Sequence, residues 1–166
     1  GLAHISYLGE KYDILKYAYD TGFSWEVQEI EPRQAPNIRT GGFTSLVLDS
    51  AGNPYISYMD WQNNDLKFAS TNSGSCTGDR CYLCGPNNAW QCRVVDGTES
   101  TGFYTSIGRN SDGTLMIAYR NATYGYLEFA QSPNGRSWSV DTLYASGDPG
   151  WYNSLAVDGD GYPGIS

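Results

Sequence analysis

The chain repeats itself, and that constrains its fold more than any other feature. Thr44 to Asp60 reads TSLVLDSAGNPYISYMD and returns without a gap at Thr105 to Asn121 as TSIGRNSDGTLMIAYRN. It returns again at Asn153 to Ser166 as NSLAVDGDGYPGIS, and its second half opens the chain as GLAHISY, Gly1 to Tyr7. Equivalent residues need equivalent surroundings, so the fold is expected to be an array of like units. Each copy reads as strand, tight turn, strand. SLVL and YISYM are rich in aliphatic, β-branched and aromatic residues. DSAGNP between them is built of turn formers.

Two further strand-like pieces complete each unit. One ends in an aromatic and Ala: DILKYA at 13–18, DLKFA at 65–69 and YLEFA at 126–130. The other begins with Trp: WEVQEI at 25–30, WQCRVV at 90–95 and WSVDTL at 138–143. A Gly and aromatic lead-in then precedes the next unit: GGFTS at 41–45, GFYTS at 102–106 and GWYNS at 150–154. Ile5, Ile56, Ile117 and Ile165 are equivalent and stand 51, 61 and 48 positions apart. Composition agrees with an all-β chain: 20 Gly and 14 Tyr, with charged residues at only 17%, where long helices want Ala, Leu, Glu and Lys. Four antiparallel strands in about fifty residues is the size of a β-propeller blade. The repeats are expected at 1–51, 52–112 and 113–160, with 161–166 beginning another, all in one domain 1–166. SLVL and LMIAY are apolar throughout, as strands covered on both faces are. WEVQEI alternates, with Trp25 and Val27 on one side and Glu26 and Gln28 on the other, as expected nearer a solvated rim.

The turn between the third and fourth pieces carries a further cue. It reads DTGFSW at 20–25, STNSGS at 70–75 and SPNGRSW at 132–138, each resembling a degenerate Asp-box, S-x-D-x-G-x-x-W. Physically, the Asx side chain caps its own turn, Gly takes a positive φ, and Trp is expected to pack beneath the hairpin. With these boxes and units of the form TSLVLDSAGNPYISYMD…DLKFA…W, the chain resembles secreted bacterial and archaeal β-propeller repeat proteins with sialidase-like blades. The resemblance spans nearly all of the chain and implies a propeller fold. It implies little about activity, because propellers host unrelated functions.

About three blades fit in 166 residues, fewer than a propeller ring needs. The ring is therefore expected to be closed by further sequence or by other copies. Ile5 and Tyr7 on the opening strand, and Leu155 and Ile165 on the final pair, are the candidate assembly residues. An open sheet edge is a site for strand addition, and copies joined that way would build an oligomer or filament.

Net charge is −8, which argues against nucleic acid as partner. No apolar run approaches the ~20 residues of a membrane-spanning helix. Cys76, Cys81, Cys84 and Cys92 cluster in an insertion at 76–92. The set is even and local, so two disulfides are expected, with three pairings open. Its spacing is a poor match to paired zinc knuckles. With the acidic, Lys-poor composition, it points to an extracellular or cell-surface location.

Asn121-Ala122-Thr123 is a glycosylation sequon. DGDG at 158–161, SDG at 111–113 and DSAG at 49–52 invite calcium, though turn chemistry alone explains them and no other cofactor is implied. His4 is the sole histidine, and no G-x-S-x-G elbow accompanies it. A sialidase-like glycoside hydrolase would need paired carboxylates or a Tyr nucleophile, together with an arginine clamp. Glu26, Glu29, Glu31, Asp60, Asp65, Glu99 and Glu128 are available, as are Arg33, Arg39, Arg93, Arg109 and Arg120, but none recurs with an obvious partner. Trp61, Tyr124 and Trp151 stand at loop-like positions where aromatics stack on sugars. The sequence thus favours a non-enzymatic, extracellular structural or binding module, with a carbohydrate-binding propeller and a hydrolase fragment as alternatives.

Overall fold

The computed structural model describes residues 1–9, 13–31, 39–71, 76 and 80–166. Its strands are β1 (His4–Gly9), β2 (Ile14–Asp20), β3 (Trp25–Glu29), β4 (Thr40–Leu48), β5 (Pro54–Asp60), β6 (Asp65–Ser70), β7 (Cys81–Cys84), β8 (Trp90–Asp96), β9 (Phe103–Arg109), β10 (Leu115–Asn121), β11 (Tyr126–Ser132), β12 (Ser139–Tyr144), β13 (Leu155–Val157) and β14 (Pro163–Ile165). Among the described residues a 3-10 turn, Pro86–Asn88, interrupts this all-β order. All pairings are antiparallel, in four sheets ordered β1-β2-β3, β4-β5-β6-β8-β7, β9-β10-β11-β12 and β13-β14.

The sheets stack in chain order, and a separate apolar core fills each gap. Leu15, Tyr17 and Ile30 meet Ile56, Tyr58 and Trp90 between the first and second. Tyr55, Leu66, Phe68 and Val95 meet Ile107, Leu115, Ile117 and Tyr119 between the second and third. Met116, Ala118 and Phe129 meet Leu155, with Val157 and Ile165 packed against them. The middle strands β5 and β10 are buried along their whole length, which is why their sequences do not alternate. On β3 the packed face is the Gln28 side, while Trp25 and Val27 are about half exposed, at 51% and 52%.

The same polar bonds recur from gap to gap. The Ser45 hydroxyl accepts the Ile107 backbone N–H at 3.1 Å, and the Ser106 hydroxyl accepts that of Leu155 at 2.9 Å. Thr44 Oγ1 donates to the Ser6 carbonyl at 3.0 Å, and Thr105 Oγ1 donates to Ser57 Oγ at 2.9 Å. Thr-Ser in the lead-in thus ties each first strand to both neighbouring sheets. Successive sheets touch along these strands, β4 against β9 and β9 against β13.

Two of the lead-ins run inside strands: GGFTS belongs to β4, where the register slips between Thr40 and Gly42 and again between Gly42 and Ser45, and residues 103–106 open β9, whereas GWYNS precedes β13 as a turn. One feature differs from the sequence reading. The Trp of the turn motif packs across onto the preceding sheet, Trp90 on Tyr17 and Trp138 on Phe68, each at 5.2 Å. The turns cap themselves, however. Asp20 Oδ1 accepts the Gly22 N–H at 2.7 Å, Asn134 Oδ1 accepts that of Arg136 at 2.9 Å, and Gly22 and Gly135 have φ of 85° and 70°. Asn72 to Ser75 of the middle motif lie outside the described residues.

The cysteine insertion adds β7 to the outer edge of the second sheet and closes two bridges, Cys76–Cys81 and Cys84–Cys92. Cys84 and Cys92 belong to the first core, beside Trp90.

Candidate functional site

The lead-ins build a row of aromatic rings along one end of the stack, two of them as bulges in β4 and β9 and the third as a turn before β13. Gly41, Gly102 and Gly150 have φ of 91°, 83° and 89°. Two residues later, Phe43, Tyr104 and Tyr152 have φ of 50°, 53° and 51°. An aromatic residue in the left-handed region is an outlier, and such strain costs about 1–3 kcal/mol and persists only where its surroundings impose it. Here it recurs at one position in three units. A β-bulge redirects a side chain, and the result is regular. The Phe43 and Tyr104 ring centroids are 4.5 Å apart, as are those of Tyr104 and Tyr152. Gly41 is obligatory for a second reason: a Cβ there would lie 2.7 Å from the Leu15 Cα of the preceding sheet.

Trp61 and Trp151 extend the row. Trp61 sits 6.0 Å from Phe43, and Trp151 sits 5.4 Å from Tyr104. Each carries a guanidinium on its face, Arg39 at 4.9 Å and Arg120 at 4.3 Å. Arg39 Nε donates to Asp13 at 2.9 Å, and Arg120 pairs with Asp148. Arg120 and then the Trp151 indole N–H hold the Asp148 carboxyl below the usual range. The Trp61 indole fills the space above Gly42, where a Cβ would fall 1.8 Å from its Nε1. The third sheet exchanges the two sizes, with Phe103 in place of Gly42 and Ala122 in place of Trp61. Phe43, Thr44, Tyr104, Thr105, Tyr152 and Asn153 line a cavity of about 280 Å³. Burial first, and then the neighbouring Tyr152 hydroxyl, raise the pKa of Tyr104.

Of the three aromatics expected to meet sugar, the structure places Trp61 and Trp151 on this row. Tyr124 stands in a separate pair with Tyr126, 5.4 Å away, and donates to Glu99 at 3.0 Å. Phe43, Tyr104 and Tyr152 escaped the sequence reading. Their common position in GGF, GFY and GWY was the available signal. Asn121 is not placed as a glycan acceptor. It is 2% exposed, its amide donates to Glu128 at 3.1 Å, and its Oδ1 caps the turn through the Thr123 N–H at 3.0 Å. Of the assembly residues, Leu155 is 8% exposed and Ile165 packs beside it on the third sheet, whereas Ile5 is 47% exposed and Tyr7 pairs with Lys16. The carboxylates raised as calcium ligands accept backbone N–H groups instead, Asp49 from Ala51 and Asn53, and Asp158 from Asp160 and Tyr162. Among the described residues, no three His, Cys, Asp or Glu side chains converge to hold a metal ion.

Of the charged residues with the chemistry for hydrolysis, Glu31 and Asp60 converge on one buried lysine. Lys67, 4% exposed, bonds Glu31 and the Tyr82 hydroxyl and lies 3.6 Å from Asp60. The equivalent node one sheet on holds Asp96, which accepts from the Tyr119 hydroxyl at 2.8 Å, and Glu128. Arg109 lies over Tyr55, Arg93 faces the third sheet, and Arg33 is outside the described residues. Among the described residues, no helix is long and apolar enough to cross a membrane. Compared with known proteins, the chain matches no family model and no curated protein.

Proposed function

We propose that the chain is an extracellular binding module of propeller-type blades that engages a glycan along the aromatic row. The observation that carries this reading is the repeated left-handed aromatic position, which sets Phe43, Tyr104 and Tyr152 in line over one cavity. Strain held at three equivalent sites favours a function that uses the rings. Aromatic faces suit the C–H surfaces of sugars, and the flanking Thr44, Thr105 and Asn153 offer hydroxyl and amide partners. Blade geometry is supported by the four-strand meanders and by the contact of successive sheets along their first strands. The two disulfides suit an oxidising, extracellular setting.

A structural role through self-association rests on a second observation. The Ser45 and Ser106 bonds are the same step taken twice, and a further sheet, of this chain or another, can continue it. Light scattering across a dilution series tests that reading. A single low-mass species at every concentration overturns it.

A glycan array followed by titration calorimetry tests the main proposal. Tyr104→Ala is expected to weaken a glycan found on the array by about 1–3 kcal/mol, a stacking-sized loss, while Tyr124→Ala leaves it unchanged. Equal loss in both variants removes the row as the site. Turnover of a fluorogenic sialoside would move the protein to the hydrolases.

A further inference from the structure

Three ionisable side chains meet in the first gap, shut away from water. Lys67, Glu31 and Asp60 are 4%, 6% and 3% exposed. Lys67 Nζ bonds Glu31 Oε1 and the Tyr82 hydroxyl, and it lies 3.6 Å from Asp60 Oδ2. The fold brings them from three strands. Lys67 opposes Tyr58 across the β5–β6 pair, and Asp60, two residues beyond Tyr58, shares that face. Glu31 arrives from the end of β3 on the preceding sheet. Repetition does not ask for this trio. The first unit has Lys16 with Gly9 at these two positions of the second sheet, and the third has Glu128 with Asn121. Only the second unit sets a lysine beside an aspartate.

An ammonium and a carboxylate are costly to hold in such surroundings. Desolvation favours their neutral forms, an amine and a carboxylic acid, and those are the reactants of amide formation. Asp60 is held ready for attack. Its Oδ1 accepts the backbone N–H groups of Gln62 and Asn63 at 2.9 and 3.3 Å, and its Oδ2 accepts the Asn63 side-chain amide at 2.9 Å. Two backbone donors on one oxygen are placed as in an oxyanion hole. Glu31 can carry protons. Its Oε1 bonds Nζ, and its Oε2 is buried without a hydrogen-bond partner. Burial raises its pKa despite Lys67, which makes it a stronger base.

We propose that Lys67 and Asp60 join in an intramolecular isopeptide bond, with Glu31 moving the protons. Glu31 takes a proton from the Lys67 ammonium and delivers it to Asp60 Oδ2. The freed Nζ lone pair attacks Asp60 Cγ, one bond beyond Oδ2, once a turn of the lysine stem has closed the distance to the about 3–3.5 Å that attack requires. The N–C bond forms, and negative charge gathers on Oδ1 under the Gln62 and Asn63 N–H groups. Glu31 carries a second proton from nitrogen to Oδ2. The Cγ–Oδ2 bond breaks with its electron pair on oxygen, water leaves, and Glu31 is as it began. The product ties β5 to β6 next in sequence to Trp61 of the aromatic row.

Intact-mass spectrometry of the purified protein, with its disulfides reduced, tests this. The expected mass is that of the sequence less one water, and trypsin is expected not to cut after Lys67. Lys67→Met and Glu31→Gln should keep the full mass. In Asp60→Asn the leaving group becomes ammonia, so the loss should change from water to ammonia. That variant keeps an acceptor for both backbone N–H groups and reports even where Glu31→Gln does not fold. A wild-type mass equal to that of the sequence overturns the bond. So does a loss of water that persists in Lys67→Met, which would place the dehydration at an aspartyl-glycyl turn such as Asp112-Gly113. A folded Glu31→Gln protein that still loses water overturns the role of Glu31.

Discussion

Lys67 and Glu128 occupy equivalent places, and the sign of the charge is reversed between them. At the first node Lys67 neutralises Glu31 and lies near Asp60. At the second, Glu128 has a neutral Asn121 and an acidic Asp96 for neighbours, and its Oε2 is buried without a partner. Burial first, and Asp96 with it, raise the Glu128 pKa despite the hydrogen bond from Asn121. Glu31 is raised too, by burial that outweighs Lys67. A carboxyl raised in the folded state binds its proton better folded than unfolded. Its contribution is fully favourable below the unfolded value of about 4.3 and is lost as pH rises through the folded value. Exposed Asp112 and Asp148 work in the opposite direction, being lowered by Thr114 and by Arg120 respectively. Glu128→Gln keeps an acceptor for Asn121 and removes the charge. Urea midpoints are expected to rise at pH 8, with little change at pH 4. Parallel pH profiles for the two proteins would show that Glu128 titrates normally.

The elements owe their shape to a few positions. Gly41 and Gly102 let each first strand press on the sheet before it, and the bulge two residues on turns an aromatic outward. The insertion behaves as an extension of a sheet rather than a separate loop, because Cys84 and Cys92 join the core while β7 covers the edge of β8. Gly85 adds a tie to the first sheet, donating to the Ile30 carbonyl at 2.7 Å. Replacing both Cys84 and Cys92 by Ala should therefore destabilise the protein by about 2–5 kcal/mol, from lost cross-link and lost packing. Denaturant unfolding measures this, and a loss under 1 kcal/mol would place the bridge outside the folding core.

Across the whole molecule, stability belongs to gaps between sheets. Sheets two and three each have a neighbour on both faces, and β5 and β10 are buried throughout. β12 is exposed along its length, and four of the five residues of β3 are exposed. In a stack held by nearest-neighbour contacts, opening is cheapest where burial is least. Amide hydrogen exchange should find the slowest amides in β5 and β10 and the fastest strand amides in β3 and β12. Uniform protection would mean that the stack opens only as a whole.

Strand order, turns and the repeat were legible in the chain, because period-two strands, Gly-Asn-Asp turns and a recurring TS…ISY pattern are local properties. The four strands of each unit fall where DLKFA and WQCRVV place them, and the cysteines were recognisable as a bridged set. Their pairing was not, since spacing left three options and only the fold chose Cys76–Cys81 and Cys84–Cys92. The aromatic row was equally hidden, because Trp61, Phe43, Tyr104 and Tyr152 come into line only once three successive units lie side by side. Asn121 opens a glycosylation sequon in the chain, and only the fold buries it, at the end of β10 between sheets. The Trp138 indole N–H, buried without a hydrogen-bond partner, shows the limit most sharply. Its own neighbours in sequence do not reveal this, and what it lacks is an acceptor at the position of Arg93, the counterpart of the Gln28 that accepts from Trp90, forty-five positions away in the chain and one sheet away in space.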